Sequence, residues 1–328
     1  MSDPAPDSVP DPTLPPAGSH AAYSYLGPAG TYTEAALRQV RAAEGAPWRS
    51  VNNIGEALAD VLQGRSVAAM MAIENTVEGG VAAVLDLLAG TPDLRIVGEY
   101  LVPVRFALLA RPGVALADVH TVVAHPVAHA QCRRWLHAHA PSHTQLPATS
   151  NVQAAQFLAE HDGDLADAAI APPDVHDRFG LAVLADDIGD NPNAVTRFVL
   201  IARAGSHVPP PITGADKTSI VVDLPSDRPG ALLALLEQFA TRGVNLSLLQ
   251  SRPIGDELGR YRFVIDLDGH VGDERVAEAL LGVRRSSPRV LFLGSYPRAD
   301  QRRVAVAEPH VDTVYAEARA WLASITAP

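Results

Sequence analysis

Short apolar runs alternate with alanine- and leucine-rich helical patterns from residue 22 to about residue 204, and this alternation constrains the fold more than any other feature. A short apolar run suits a buried strand, whereas apolar residues at every third or fourth position suit a helix that covers a sheet. The order predicts an α/β layer protein with a mainly parallel sheet. The predicted strands are Tyr23–Leu26, Val67–Ile73, Arg95–Pro103, Phe106–Ala110, Thr121–Ala124, Ala168–Ala171 and Arg197–Ala202, and the predicted helices are Glu34–Ala43, Ile54–Gln63, Val81–Leu88, Val127–His139 and Val152–Glu160.

Three polar side chains stand where predicted helices begin. Thr33, Asn53 and Ser150 each precede a helical pattern. Their side-chain oxygens can accept hydrogen bonds from the unpaired amides of a first helical turn. We therefore expect helix N-termini at these three positions.

A proline-rich stretch, His207–Pro211, interrupts the alternation and indicates a stiff linker. The pattern beyond it predicts the βαββαβ order of a ferredoxin-like sandwich, followed by an amphipathic helix over Val311–Ile325. The predicted elements of the sandwich are Ser219–Leu224, Gly230–Thr241, Leu246–Ser251, Arg260–Asp266, Glu274–Val283 and Val290–Gly294. The predicted segments are a disordered proline- and aspartate-rich tail at 1–20, the α/β domain at 21–204, a linker at 205–217, the sandwich domain at 218–297 and a C-terminal tail with its helix at 298–328.

Composition excludes several classes of function. A formal net charge of -11 argues against non-specific nucleic-acid binding, which depends on Lys and Arg. No segment approaches the roughly 18 uninterrupted apolar residues of a membrane span, so we expect no membrane insertion. Cys132 is the single cysteine, which excludes an intrachain disulfide and is typical of a cytoplasmic protein.

Two turns at predicted strand ends carry candidate ligand-binding groups. Gly27-Pro28-Ala29-Gly30-Thr31 joins the first strand to a helix, where backbone amides and the helix dipole can hold a carboxylate. Glu74-Asn75-Thr76 follows a later strand, at the carboxyl edge where open parallel sheets place ligands. Each motif alone is more readily explained as an ordinary turn.

A third motif, Asn193-Ala194-Val195-Thr196-Arg197-Phe198, places a hydroxyl beside a guanidinium at the start of a strand. This pairing suits an anionic substrate that must lose a hydroxyl. Ser150 opens a further helix, where its hydroxyl can contact an anion or simply cap the helix. His125 and His129 share a helical face, yet they lack a carboxylate at ligand spacing, so we interpret them as structural. No metal or organic cofactor is expected.

Together the motifs around Gly27, Glu74 and Thr196 resemble the signature set of prephenate dehydratases, which convert prephenate to phenylpyruvate, carbon dioxide and water. The resemblance implies a two-lobed catalytic domain of the periplasmic-binding-protein type II kind, with one lobe built from Tyr23 to about Ile73 and about Leu181 to Ala204. It implies that Thr196 assists departure of the ring hydroxyl. The implied substrate-binding residues are Arg197, Phe198, Asn193, Glu74, Asn75, Thr76, Gly27, Pro28, Gly30, Thr31 and Ser150.

The sandwich carries two motifs that resemble those of the ACT domain, which follows the catalytic part in many prephenate dehydratases and binds phenylalanine between two copies. They are Asp227-Arg228-Pro229-Gly230-Ala231-Leu232-Leu233 and Gln250-Ser251-Arg252-Pro253. Gln250 departs from the glutamate usual in the family, which removes a charge. The implied effector-binding residues are Pro229, Gly230, Ala231, Leu232, Asn245, Gln250, Ser251, Arg252 and Pro253.

The resemblance thus implies prephenate as substrate, phenylalanine as effector and a homo-oligomer, either dimer or tetramer. Three alternatives stay open from the sequence. An arogenate dehydratase would use the same residues on an amino-bearing substrate. A non-catalytic amino-acid sensor would keep the cleft and the ACT domain without the chemistry, and the ACT domain can serve as a dimerisation module alone.

Overall fold

The computed structural model describes residues 22–77, 79–161, 165–226, 228–255 and 259–326. The expected tail at 1–20 and the motif residues Glu78 and Asp227 lie outside this description.

Three sheets organise the described chain, in the strand orders β2-β1-β3-β11-β5, β10-β6-β9-β7-β8 and β13-β14-β12-β15. The first sheet contains β1 (Ala22–Leu26), β2 (Trp48–Val51), β3 (Ser66–Asn75), β5 (Leu94–Pro103) and β11 (Val195–Arg203), with the two-residue β4 (Gly79–Gly80) beside β3, and carries the helices α1 (Tyr32–Leu37), α2 (Ile54–Leu62) and α3 (Ala82–Gly90).

The second sheet forms a separate lobe from the middle of the chain. Its apolar residues pack with α4, α5 and α6 into two cores, one on each face. The lobe contains β6 (Ala107–Ala110), β7 (Thr121–Ala124), α4 (Pro126–Gln131), α5 (Arg133–His139), β8 (Thr144–Pro147), α6 (Asn151–Glu160), β9 (Ala168–Ala171), α7 (His176–Phe179) and β10 (Ala182–Ala185).

The third sheet has the predicted βαββαβ order, and its second face packs on the first lobe. Val221, Val264 and Leu293 share one buried core with Met71 and Ile96 of the first sheet. Its elements are β12 (Asp216–Asp223), α8 (Ala231–Ala240), β13 (Leu246–Pro253), β14 (Tyr261–Asp268), α9 (Glu274–Ser286) and β15 (Arg289–Pro297), and α10 (Asp312–Thr326) follows. None of the helices within the described ranges is both long and apolar enough to cross a membrane.

Strand direction differs from the prediction of a mainly parallel sheet. β1 pairs in parallel with β2 and β3, whereas β11 runs antiparallel to both β3 and β5. The second sheet is likewise mixed, since β6 is antiparallel to β9 and β10. β11 is reversed because the chain returns from the second lobe at the carboxyl edge of β3.

The predicted composition of the lobes was also wrong at two strands. β5 lies in the first sheet beside β11, although the sequence placed it in the middle lobe. β10 pairs with β6 in the second sheet, although the sequence assigned its residues to the first lobe. Strand pairing decides this membership, and an apolar run does not reveal its partner.

Local boundaries differ at a few helices. Asn53 and Ser150 cap α2 and α6 as predicted, whereas α1 is capped by Thr31 and Thr33 lies within it. The long helix predicted through Cys132 is instead two helices, α4 and α5, that meet there. The edge strands β2 and β8 were missed because their partly exposed residues form no apolar run, and β10 was also missed although its four residues are all apolar.

Gly294 permits a close approach between the third sheet and the first lobe. A Cβ at this position would lie 2.1 Å from the carbonyl oxygen of Ile96, and the residue has a φ of +152°. We therefore expect Gly294→Ala to lower the free energy of unfolding by at least about 1–3 kcal/mol, through overpacking as well as backbone strain. Urea unfolding followed by circular dichroism measures the loss.

Gly205→Ala is the matched control, because Gly205 also has a positive φ of +77° but no atom within 4 Å of a new Cβ. It should show the backbone cost alone, about 1–2 kcal/mol. Equal losses in the two variants would contradict a tight contact at Gly294.

Candidate active site

Strand register brings the three sequence motifs to one edge of the first sheet. β1 and β3 are parallel, so their carboxyl ends share an edge, and antiparallel β11 begins at that same edge. Asn75, near the end of β3, is the register partner of Thr196. The turn at 27–31 follows β1 at this edge as well.

The hydroxyl of Thr196 is oriented by Asn75. The Nδ2 group of Asn75 donates to Oγ1 of Thr196 at 2.8 Å, while its Oδ1 accepts from the amide of Val77 at 2.8 Å. The second bond fixes which end of the Asn75 amide meets the hydroxyl. Because Oγ1 acts as an acceptor here, the hydroxyl proton can be donated to a ligand in the cleft.

Thr76 ties the loop after β3 to the start of β11. Its Oγ1 accepts from the amide of Val195 at 3.1 Å, and its own amide donates to the carbonyl of Val195 at 3.1 Å. These two hydrogen bonds between Thr76 and Val195 hold the backbone immediately before Thr196. Thr76 therefore lies at the predicted site and also has a structural task there.

Arg197 lies on the opposite face of β11 from Thr196, contrary to the expected pairing at the substrate. Its side chain is only 6% exposed and points to the third sheet. Nη1 donates to Oδ2 of Asp266 at 2.6 Å, Nη2 donates to the hydroxyl of Tyr296 at 2.9 Å, and Nε donates to Glu99. Adjacent residues of a strand face opposite ways, so the two functional groups separate.

The electrostatics of this buried cluster favour its charged forms. Burial opposes ionisation of Glu99, but Arg197 and Lys217 outweigh it and lower the pKa of this carboxyl. Burial likewise opposes the charge on Arg197, yet Asp266 raises the pKa of the guanidinium well above its ordinary value. Burial, followed by Asp266, raises the pKa of Tyr296, which keeps its hydroxyl neutral.

The glycine-bearing turn is occupied by a carboxylate of the protein itself. The amide of Gly30 donates to Oε2 of Glu34, and Oγ1 of Thr31 accepts from the amide of Glu34 at 3.4 Å while it donates to the carbonyl of Leu26 at 3.2 Å. A ligand carboxylate predicted to bind at this turn would therefore compete with the Glu34 carboxylate for the Gly30 amide. At Gly27 a Cβ would lie 1.8 Å from Oγ of Ser50, so the backbone of the turn packs closely on β2.

The second lobe closes against this turn. Nη1 of Arg178 in α7 donates to the carbonyl of Ala29 at 2.8 Å, and a Cβ on Gly30 would lie 3.5 Å from Cγ2 of Val152 in α6. Ser150 caps α6 by accepting from the amide of Gln153 at 3.1 Å. The cleft therefore has the β1–β3–β11 edge on one side and the first turn of α6 on the other.

The remaining predicted substrate residues are more dispersed. Phe198 is 2% exposed and belongs to the core of the first sheet, so it supports the edge from within. Glu74 approaches Nη1 of Arg197 at 3.4 Å, and the exposed Asn193 donates its amide to Oδ1 of Asn191. Within the described ranges no cluster of three or more His, Cys, Asp and Glu side chains is placed to hold a metal ion.

Comparison with known proteins assigns the chain to a family. The family model for prephenate dehydratase matches residues 23–206, and the model for the ACT domain matches residues 218–285. The chain belongs to the prephenate dehydratase family. The predicted fold, a two-lobed domain of the periplasmic-binding-protein type II kind with a ferredoxin-like ACT domain, is confirmed.

Full-length relatives agree with this assignment. The prephenate dehydratase of Mycobacterium tuberculosis (strain ATCC 25618 / H37Rv) is 44% identical over 312 residues, which cover 93% of this chain and 94% of that protein. The solved prephenate dehydratase of Arthrobacter aurescens, in complex with L-Phe, is 51% identical with a TM-score of 0.87, covering 93% of this chain and 99% of that chain. The structure of GqqA, described as a novel type of quorum quenching acylase, is 30% identical with a TM-score of 0.72 over 84% of this chain and 97% of that chain.

The ACT domain has an open cavity of about 840 Å³ between α8 and the sheet. Four of the predicted effector residues line it, namely Gly230, Ala231, Leu232 and Ser251. Gly230 adopts a left-handed φ of +86° at the start of α8, which glycine tolerates without strain.

Other predicted effector residues point elsewhere within the single chain. Arg252 forms a two-bond ion pair with Asp86 of α3 at 2.7 and 2.8 Å, and Gln250 packs against Gly80. Asn245 donates to Asp268 at 2.7 Å, at the opposite end of the sheet from the cavity. The exposed Pro229 and Pro253 lie beside the start of α8 and at the end of β13.

Several residues of the site were not identified from the sequence. Glu34 and Arg178 define the cleft wall, and Glu99, Lys217 and Asp266 bind Arg197 or its partners. A signal existed for the last group, since charged residues within otherwise apolar strands require buried partners. The single lysine of the chain is one of them.

The low pKa of Glu99 links stability to pH. A carboxyl whose pKa is lower in the folded than in the unfolded state contributes stability above the unfolded pKa and loses it as pH falls through the folded pKa. At neutral pH Glu99→Gln should destabilise the protein by about 3–5 kcal/mol, because buried Lys217 loses its carboxylate partner and buried Arg197 loses one of its carboxylate partners. The difference from the native protein should shrink as the pH falls below about 4.5.

Urea unfolding at several pH values between 7 and 4 measures this difference. Glu237→Gln on the exposed face of α8 is the control, and it should remain within about 0.5 kcal/mol of the native protein throughout. A difference for Glu99→Gln that stays constant with pH would contradict the assignment.

Proposed function

We propose that this protein is a prephenate dehydratase, a hydro-lyase that forms phenylpyruvate, carbon dioxide and water. The observation that carries the proposal is the Thr196 hydroxyl, oriented by Asn75 at the edge of an interlobe cleft. Family membership over most of the chain supplies the substrate class.

The reaction needs a group at the leaving oxygen. The electron pair of the bond to the ring carboxylate forms a new ring double bond as carbon dioxide departs. The ring carbon–oxygen bond breaks with its electron pair on oxygen, which takes up a proton and leaves as water. The Thr196 hydroxyl donates a hydrogen bond to this oxygen. Because threonine is a very weak acid, the proton transfer is concerted with bond cleavage or relayed through Thr196. Positioned proton transfer contributes about 100- to 10,000-fold in rate.

The substrate carboxylates bind, in this proposal, across the two lobes. Ser150 and the first-turn amides of the ten-residue helix α6 offer donors, together with the field of the helix N-terminus. Arg178 replaces Arg197 as the candidate cation, because its exposed guanidinium lies at the cleft wall, beside the turn at 27–31. Asn75 and Thr76 complete the opposite wall.

Phenylalanine is the proposed effector of the ACT domain. The Arthrobacter aurescens relative was solved with L-Phe, and this chain has an open cavity lined by Gly230, Ala231 and Leu232 of the first ACT motif and by Ser251 of the second. We further propose a cytoplasmic homo-oligomer, in which a second ACT domain supplies the missing side of the cavity.

Two substitutions test the catalytic assignment. Thr196→Ala should lower kcat by about 100-fold or more, since it removes the donor to the leaving oxygen. Asn75→Asp should also lower kcat strongly, because a carboxylate oxygen in place of Nδ2 would accept the Thr196 proton. Phenylpyruvate formation from prephenate is the measurement.

Asn53→Asp is the matched control for the amide-to-acid change. Asn53 caps α2 through Oδ1, and aspartate caps a helix equally well. Its kcat should stay within twofold of the native value. Full turnover by Thr196→Ala would remove this residue from the mechanism, and absence of turnover in the native protein would refute the function.

Calorimetry tests the effector. We expect saturable binding of phenylalanine to the intact protein and weaker binding by at least tenfold in Gly230→Val, because a β-branched residue strains a left-handed position at the cavity. Gly214→Val, at another left-handed glycine outside the cavity, should bind normally. Equal binding by the two variants would place the effector elsewhere.

A further inference from the structure

Thr196 and Arg197 are consecutive residues that serve two different parts of the molecule. Thr196 lies at the cleft edge with Asn75, whereas Arg197 extends through the back of the sheet into the ACT domain. A change in the position of the guanidinium therefore acts on the backbone that carries the Thr196 hydroxyl.

A closed ring of hydrogen bonds holds the guanidinium. Asp266 accepts from Nη1 of Arg197 at 2.6 Å and from Oγ of Ser219 at 2.5 Å. Tyr296 accepts from Nη2 of Arg197 at 2.9 Å and contacts Ser219 at 2.6 Å. Since Ser219 uses its one proton on Asp266, the Tyr296 hydroxyl must donate to Ser219. Each hydrogen bond in the ring then has one possible donor and one possible acceptor.

Glu99 joins this ring to the start of β12 and to the segment after β15. It accepts from Arg197, from Nζ of Lys217 at 2.6 Å and from the amide of Ala299 at 2.8 Å. The two cations balance the charges of Glu99 and Asp266, whose side chains are 2% and 1% exposed. Removing one member leaves an unpaired buried charge, so the arrangement tolerates little displacement.

The backbone at this point of β11 is irregular. Its register with β3 shifts between Arg197, whose side chain the ring of hydrogen bonds holds, and the next residue, Phe198. Such irregularities redirect side chains and depend on surrounding structure to keep one geometry. The ACT sheet provides that support from behind β11.

We propose that Arg197 and Asp266 are positioning residues for the dehydration: the ACT sheet fixes the direction of the Thr196 hydroxyl through the Arg197 side chain, even without effector. The ACT domain thereby contributes to catalytic alignment in addition to its effector site. This inference rests on the proposed function of the cleft.

Two ACT-domain substitutions test the inference in the full-length protein. Asp266→Asn removes the anion that pairs with Nη1, and Tyr296→Phe removes the acceptor of Nη2 with less disturbance of charge. We expect kcat for prephenate to fall by at least tenfold in Asp266→Asn and by at least threefold in Tyr296→Phe, with KM within twofold of the native value in both.

Asp86→Asn is the matched control. It removes the same charge from another ion pair between the catalytic and ACT domains, the one with Arg252, but it lies on α3 rather than behind β11. Its kcat should stay within twofold. Hydrogen exchange of a peptide covering residues 194–200 provides a readout that does not need turnover, and it should accelerate in Asp266→Asn and stay unchanged in Asp86→Asn.

The outcomes separate the alternatives. A kcat unchanged in both ACT variants, or one that falls equally in Asp86→Asn, overturns the inference. A raised KM with unchanged kcat also overturns it, since that pattern would make Arg197 a substrate ligand. If the native protein does not convert prephenate, the proposed function fails; faster exchange in Asp266→Asn would then still support the link between the ACT sheet and β11.

Discussion

The structure depends on a buried guanidinium that joins its catalytic and ACT domains. The Arg197 guanidinium stays charged, so its N–H groups need hydrogen-bond acceptors around them when the side chain is buried. Glu99 supplies one from the catalytic domain, and Asp266 and Tyr296 supply the others from the ACT sheet. The domains are therefore held in one relative orientation by directional bonds, with an apolar core packed beside them.

The same strand makes the active-site edge. β11 enters the first sheet antiparallel because the chain comes back from the second lobe, and its first residues pair with the carboxyl end of β3, the strand beside β1. An alternating strand exposes consecutive side chains to opposite faces. One short segment can thus present a hydroxyl to the cleft and a cation to the ACT domain.

β13 of the ACT domain shows a similar division. Ser251 lines the cavity beside α8, while its neighbours Gln250 and Arg252 contact Gly80 and Asp86 of the catalytic domain. Gly80 is the register partner of Glu74, one residue before Asn75. The cavity beside α8 and the cleft edge are therefore connected by a short run of packed elements. The glutamine that replaces the usual glutamate at position 250 lies at this contact, where an additional carboxylate would stand close to a glycine backbone.

The sequence by itself determined the α/β alternation, the βαββαβ order, the proline-rich boundary and the motifs that meet at the cleft, because these depend on local periodicity and on turn chemistry. Only the tertiary structure decided that β5 joins the first sheet, that β11 is reversed, and that the Arg197 side chain binds Asp266, 69 residues away along the chain, on the opposite face of β11 from Thr196. It also showed that Glu34 occupies the glycine turn and that Arg178 reaches across from the other lobe. Strand pairing and buried charge compensation join residues distant in sequence, so a local pattern indicates that a partner is required without identifying it.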